Sequence, residues 1–164
     1  AQRYNTKVAP FLKEAFGAQP DTVAVMRDPI EQIRSWYRYR SGPRHMGTEK
    51  HTGGITFDAF VREVIREDPP EFASIGSQFR FLTDGKEQVL VDHLFAYEKQ
   101  VKFRKFLSGR MGETIKLPVR NISPPAKTPL SEEVEAELRE ARADEFALYE
   151  RLMAADGHLG PKKK

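Results

Sequence analysis

The segment that most limits the fold is Thr22-Val23-Ala24-Val25-Met26, which runs into Arg27-Asp28-Pro29 and then into Ile30, Ile33, Trp36 and Tyr37 at helical spacing. A short, uninterrupted apolar run rich in β-branched residues suits a strand buried on both faces, as in a parallel sheet. Asp28 is placed to cap a helix, and Pro29 falls at the first helical position, where its missing N–H is no loss. Glu31 completes an Asp-x-x-Glu form of the capping box. This is a strand, a turn of one or two residues and a helix, the unit expected of an α/β layered fold.

The flanking segments agree with such an α/β arrangement. Residues from about Asn5 to Phe16 read as a helix with Val8, Phe11, Leu12 and Ala15 on its apolar face and Gly17 as its stop. Residues 41–56 hold Gly42, Gly47, Gly53, Gly54 and Pro43 with few apolar side chains, and are expected to form a long mobile loop. Phe57, Phe60, Val61, Val64 and Ile65 follow the helical template, with Thr56 as cap and Pro69-Pro70 as terminator. An irregular stretch with Gln78, Phe79, Phe81 and Leu82 ends at the turn signal Asp84-Gly85. A second strand is expected around His93–Tyr97, then a helix from about Lys99 to Leu107 that stops near Gly109. The stretch from Leu117-Pro118 to Thr128-Pro129 is Pro-rich and irregular. Ser131 caps a last helical region with Val134, Leu138, Phe146, Tyr149, Leu152 and Met153 as its buried positions, and residues 160–164 read as a frayed basic tail. Length is consistent with a single domain spanning residues 1–164.

Composition removes several classes of function. The chain has no cysteine, which excludes disulfides, thiolate metal sites and thiol nucleophiles. Lys plus Arg number 27 against 24 for Asp plus Glu, a net +3, enough for an anionic ligand but too little for a nucleic-acid-wrapping protein. No apolar run approaches the roughly 18–20 residues of a membrane span and no signal peptide opens the chain, so a soluble, cytoplasmic protein is expected.

A strand that ends in Arg and passes at once into a capped helix is a sound anion site, because the helix start supplies N–H donors and Arg27 a planar fork. The competing reading pairs Arg27 with a nearby carboxylate such as Glu31 and leaves Ser35 as an ordinary helix residue. His45 and His51 lie in the long loop, His93 in the second strand and His158 near the tail, and any of them has the chemistry of a proton acceptor. The alternation Arg34, Trp36, Tyr37, Arg38, Tyr39, Arg40 is more simply a core face of aromatics with arginines on a solvated or ligand-facing side.

The string Val25-Met26-Arg27-Asp28-Pro29-Ile30 followed by Arg34-Ser35-Trp36-Tyr37 resembles the 3′-phosphate-binding motif of sulfotransferases that use 3′-phosphoadenosine 5′-phosphosulfate. In that family the Ser follows the Arg by eight positions, as Ser35 follows Arg27 here. Ile55–Val61, Ser77-Gln78-Phe79, Val91–Glu98 with its closing Tyr97-Glu98, Leu117-Pro118 with Asn121 and Ser123, and Asp144–Leu152 are similar in the same order to later parts of the carbohydrate-type branch. The resemblance implies a P-loop-like three-layer fold, a parallel sheet flanked by helices, in which Arg27 and Ser35 hold the 3′-phosphate. It implies transfer of a sulfuryl group from 3′-phosphoadenosine 5′-phosphosulfate to a hydroxyl of a carbohydrate-like or small-molecule acceptor, with adenosine 3′,5′-bisphosphate as product and no metal. Lys127, in the Pro-rich loop near Ser123, adds a candidate phosphate contact.

The family also carries a strand, a Pro-Lys-x-Gly-x-Thr loop and a helix ahead of this motif, and nothing in the sequence fits that loop. The chain is therefore expected to be the C-terminal portion of a longer enzyme, with a sheet edge left for an absent segment or a second copy to cover. Two other classes stay open: a small-kinase-like fragment of another P-loop nucleotide-binding protein, and a non-catalytic anion-binding module.

Overall fold

The computed structural model describes residues 1–85, 88–118 and 128–161. Among these, the chain is a mixed α/β protein with one three-stranded sheet and seven α-helices, divided into two compact units.

The first unit comprises residues 1–28, 77–116 and 147–164. It holds α1 (Ala9–Phe16), β1 (Val23–Met26), α4 (Gln78–Leu82), β2 (His93–Ala96), α5 (Gln100–Met111), most of α7 (Ala143–Ala154) and β3 (His158–Leu159). The strand order is β1-β2-β3, with β1 parallel to β2 (Val23 opposite His93, Met26 opposite Ala96) and β3 antiparallel to β2. Thr22 and Asp92 set this register. The Thr22 N–H and hydroxyl both donate to Asp92 Oδ2 at 2.7 Å, and these bonds hold the carboxyl below its usual range. Met26, Leu94, Ala96, Phe79, Leu82, Leu148 and Leu152 form the buried core.

β1 is an edge strand. The His93 N–H donates to the Thr22 carbonyl, so Thr22, Ala24 and Met26 address β2 while Val23, Val25 and Arg27 address the outer side. No strand lies beyond Val23 and Val25 among the described residues.

The second unit comprises residues 29–76 and 117–146, with α2 (Pro29–Arg40), α3 (Phe57–Val64) and α6 (Glu132–Ala141). Its core joins Ile30, Ile33, Phe57, Phe60, Val61, Val64, Val134, Leu138 and Phe146. α3 and α6 are each capped by the expected hydroxyl: Thr56 accepts from the Ala59 N–H and Ser131 from the Val134 N–H.

Several elements depart from the sequence expectation. α1 is preceded by a π-helical turn (Tyr4–Val8), and its apolar face is not buried: Phe11 is 58% and Phe16 71% exposed. Residues 78–82, expected to be irregular, form α4 because Ser77 caps it and Phe79 and Leu82 reach the core. α5 passes through Gly109 and stops at Gly112, which has the positive φ of 70° that a left-handed C-cap requires. The last helical region is two helices, α6 and α7. β3 was not expected at all. No helix among the described residues is long and apolar enough to cross a membrane.

Candidate functional site

The C-terminal ends of β1 and β2, where ligands of parallel sheets bind, carry a polar cluster that lies wholly within the first unit. Arg27 follows the last residue of β1, and its main chain is gripped by one side chain. The Arg27 N–H donates to Gln78 Oε1 at 2.9 Å, and Gln78 Nε2 donates to the Arg27 carbonyl at 3.0 Å. The next peptide is held as well, since the Asp28 N–H donates to Glu98 Oε1 at 3.2 Å. The Arg27 guanidinium lies over the Tyr97 ring, 5.0 Å from its centroid. Glu98 also accepts a hydrogen bond from the Tyr149 hydroxyl on α7. Burial first, and then this bond to a carboxylate, push the Tyr149 phenol well above its usual range.

A phosphate at a strand–helix junction ordinarily draws on main-chain N–H groups. Here those of Arg27 and Asp28 are already taken by Gln78 and Glu98.

Ser35 belongs to the second unit, half-buried on α2. Glu31 forms an ion pair with Arg34 Nη1 at 2.6 Å. Arg34 and Arg38 lie one turn apart on α2, and each has a buried Nε with no hydrogen-bond partner among the described residues. Arg34 sits over the Phe57 ring at 5.5 Å, and Arg38 Nη2 donates to the Thr128 hydroxyl at 3.2 Å. A cavity of about 440 Å³ in the same unit is lined by Tyr37, Thr56, Phe57, Asp58, Leu130 and Ser131.

Arg40 corrects the expectation that the arginines of this helix form a solvated or ligand-facing side. It is 6% exposed, and its fork donates to the carbonyls of Glu71 (2.8 Å) and Ser74 (3.0 Å) while lying over Trp36 at 5.2 Å. The loop 41–56 is irregular apart from a 3-10 turn at Pro43–His45. It is tied to α2 by the fully buried Thr52, whose hydroxyl donates to the Tyr37 carbonyl at 2.9 Å, and by the Tyr37 hydroxyl, which donates to Ile55 O at 2.7 Å. Gly53 passes beneath the His51 ring so closely that a Cβ there would lie 2.2 Å from Cε1. Burial first, and then the charges of Arg40, Arg44 and Lys50, hold the His45 imidazole below its usual range, so the neutral, proton-accepting form prevails.

The remaining histidines are brought together. His93 Nδ1 and His158 Nε2 are 3.0 Å apart, and the His158 ring stacks on Phe95 at 4.0 Å. Lys127 lies outside the described residues.

Sequence reasoning found Arg27 as a candidate ligand contact but did not assign Gln78, Glu98 and Tyr149 to its neighbourhood. Gln78 and Glu98 are 51 and 70 positions from their Arg27 and Asp28 partners, a proximity that no local pattern carries. Compared with known proteins, the chain matches no family model, no curated protein and no solved structure.

Proposed function

We propose that this chain is part of a sulfotransferase of P-loop-like α/β fold that uses 3′-phosphoadenosine 5′-phosphosulfate, with Arg27 as the contact to the 3′-phosphate. The supporting observation is the guanidinium at the C-terminal end of a parallel strand, laid over Tyr97, with the neighbouring main-chain donors already occupied. Such a site recognises phosphate through the side-chain fork. Ser35 joins the proposal on the motif resemblance alone. The reaction moves the sulfuryl group onto the oxygen of a hydroxyl acceptor, carbohydrate-like by the same resemblance, as its bond to the phosphate oxygen breaks, releasing adenosine 3′,5′-bisphosphate and the hydroxyl proton.

The experiment is calorimetry with adenosine 3′,5′-bisphosphate against adenosine 5′-phosphate. A charge-assisted bond to the extra phosphate contributes about 1.5–3 kcal/mol, so the bisphosphate should bind about tenfold or more tightly, and Arg27→Ala should abolish that preference. The half-exposed contact with Tyr97 contributes about 0.5–1 kcal/mol, and the melting temperature of Arg27→Ala without ligand separates lost binding from lost stability. Equal affinity of the wild-type chain for the two nucleotides refutes the proposal.

A further inference from the structure

We infer that Gln78 and Glu98 are positioning residues that fix the direction in which the Arg27 side chain leaves β1, an inference that rests on the proposed anion site. A long side chain recognises an anion well only when its root is fixed, because each freely rotating bond spreads the guanidinium over more positions. At an open sheet edge the main chain lacks the neighbour strand that would ordinarily fix it. Gln78 supplies that neighbour in miniature. Its amide places an acceptor opposite the Arg27 N–H and a donor opposite the Arg27 carbonyl, the two groups that an adjoining strand would engage.

The amide is itself anchored. It stands on the first residue of α4, whose start is capped by Ser77 and whose Phe79 and Leu82 are buried in the core of this unit. On the following peptide, Glu98 accepts the Asp28 N–H and is in turn held by the Tyr149 hydroxyl. The residue before Glu98 is Tyr97, on whose ring the guanidinium rests. Three main-chain hydrogen bonds thus surround one Cα, and the 3-10 turn at Tyr97–Lys99 supplies both one of these anchors and the aromatic platform for the side chain. With φ and ψ fixed, the Cα–Cβ direction of Arg27 is fixed too.

The test uses the full 164-residue chain and two readouts. The first needs no ligand: the order parameter of the Arg27 Nε–H, from ¹⁵N relaxation. The second is the ratio of affinities for adenosine 3′,5′-bisphosphate and adenosine 5′-phosphate. Gln78→Met, which keeps the volume but not the amide, and Glu98→Ala should each lower the Arg27 order parameter. Each should also reduce the affinity ratio by about three- to tenfold, a fraction of a full charge-assisted bond. Glu98→Gln, which keeps an oxygen for the Asp28 N–H, should restore both. In an Arg27→Ala background Gln78→Met should leave the ratio unchanged. An unaltered Arg27 order parameter in both Gln78→Met and Glu98→Ala, with the two nucleotides weakened equally, overturns the inference and leaves Gln78 and Glu98 as fold residues. If the wild-type chain shows no preference for the bisphosphate while Gln78→Met still loosens Arg27, the proposed function falls and the positioning role stands.

Discussion

Replacing Arg40 by Met tests whether a buried arginine anchors the second unit. The variant keeps an apolar stem of similar length and deletes two hydrogen bonds from a charged donor to main-chain carbonyls, at 2.8 and 3.0 Å. Bonds of this kind contribute about 1.5–3 kcal/mol each, giving a gross loss of roughly 3–6 kcal/mol. Two effects reduce it. The guanidinium is held out of water, and burial is the leading cause of its lowered pKa, a cost that Met does not carry. The residues that supply the carbonyls, Glu71 and Ser74, are themselves exposed, so water can replace the lost donors. The net destabilisation should be about 2 kcal/mol, equivalent to roughly 4–8 °C in melting temperature for a chain of this size. The assay is urea unfolding followed by fluorescence of Trp36, the single tryptophan, which lies under the Arg40 guanidinium in the same unit. Arg40→Lys retains a charge without the planar fork and should fall between Met and wild type. A Met variant that unfolds within about 0.5 kcal/mol of wild type, the range of ordinary surface changes, would show that the desolvation penalty cancels the bonds.

The His93–His158 contact makes stability depend on pH. Burial first, then the His93 and Lys102 charges, lower the His158 pKa, so the unfolded chain binds the proton more readily than the folded one. Stability should be complete above the unfolded value of about 6.5 and decline as pH falls below it, and His158→Phe should flatten the profile of melting temperature against pH between 7.5 and 5. An identical slope in the Phe variant would dismiss this assignment. Ser35→Ala removes a neutral, half-buried hydroxyl and should weaken adenosine 3′,5′-bisphosphate by about 0.5–1.5 kcal/mol in calorimetry without a change in melting temperature. No change in affinity would remove Ser35 from the proposed site.

What could be read from the sequence was what local physics dictates. β1 and α2 were legible because an apolar β-branched run and a proline at the first helical position act within a few residues. The exposure of α1 was not, since amphipathic spacing predicts a face and says nothing of what covers it. Gly109 looked like a helix stop by type, but only the conformation distinguishes it from Gly112. β3 has two residues and no periodicity, and it exists because His158 and Leu159 find partners on a strand more than sixty positions earlier. The site divides along the same line. Arg27 announces itself through the residues beside it, whereas the amide and the carboxylate that grip its main chain arrive from distant segments by tertiary folding.

The Gln78 amide has a consequence for the growth of the sheet. A strand laid against the outer side of β1 would find the N–H and carbonyl groups of Val23 and Val25 to pair with, but those of Arg27 are already committed to Gln78. The amide is therefore a length stop: it ends any added ladder one residue short of the turn. Whatever backbone extends the sheet on that side can lengthen its hydrophobic part without roofing over the Arg27 peptide at its rim.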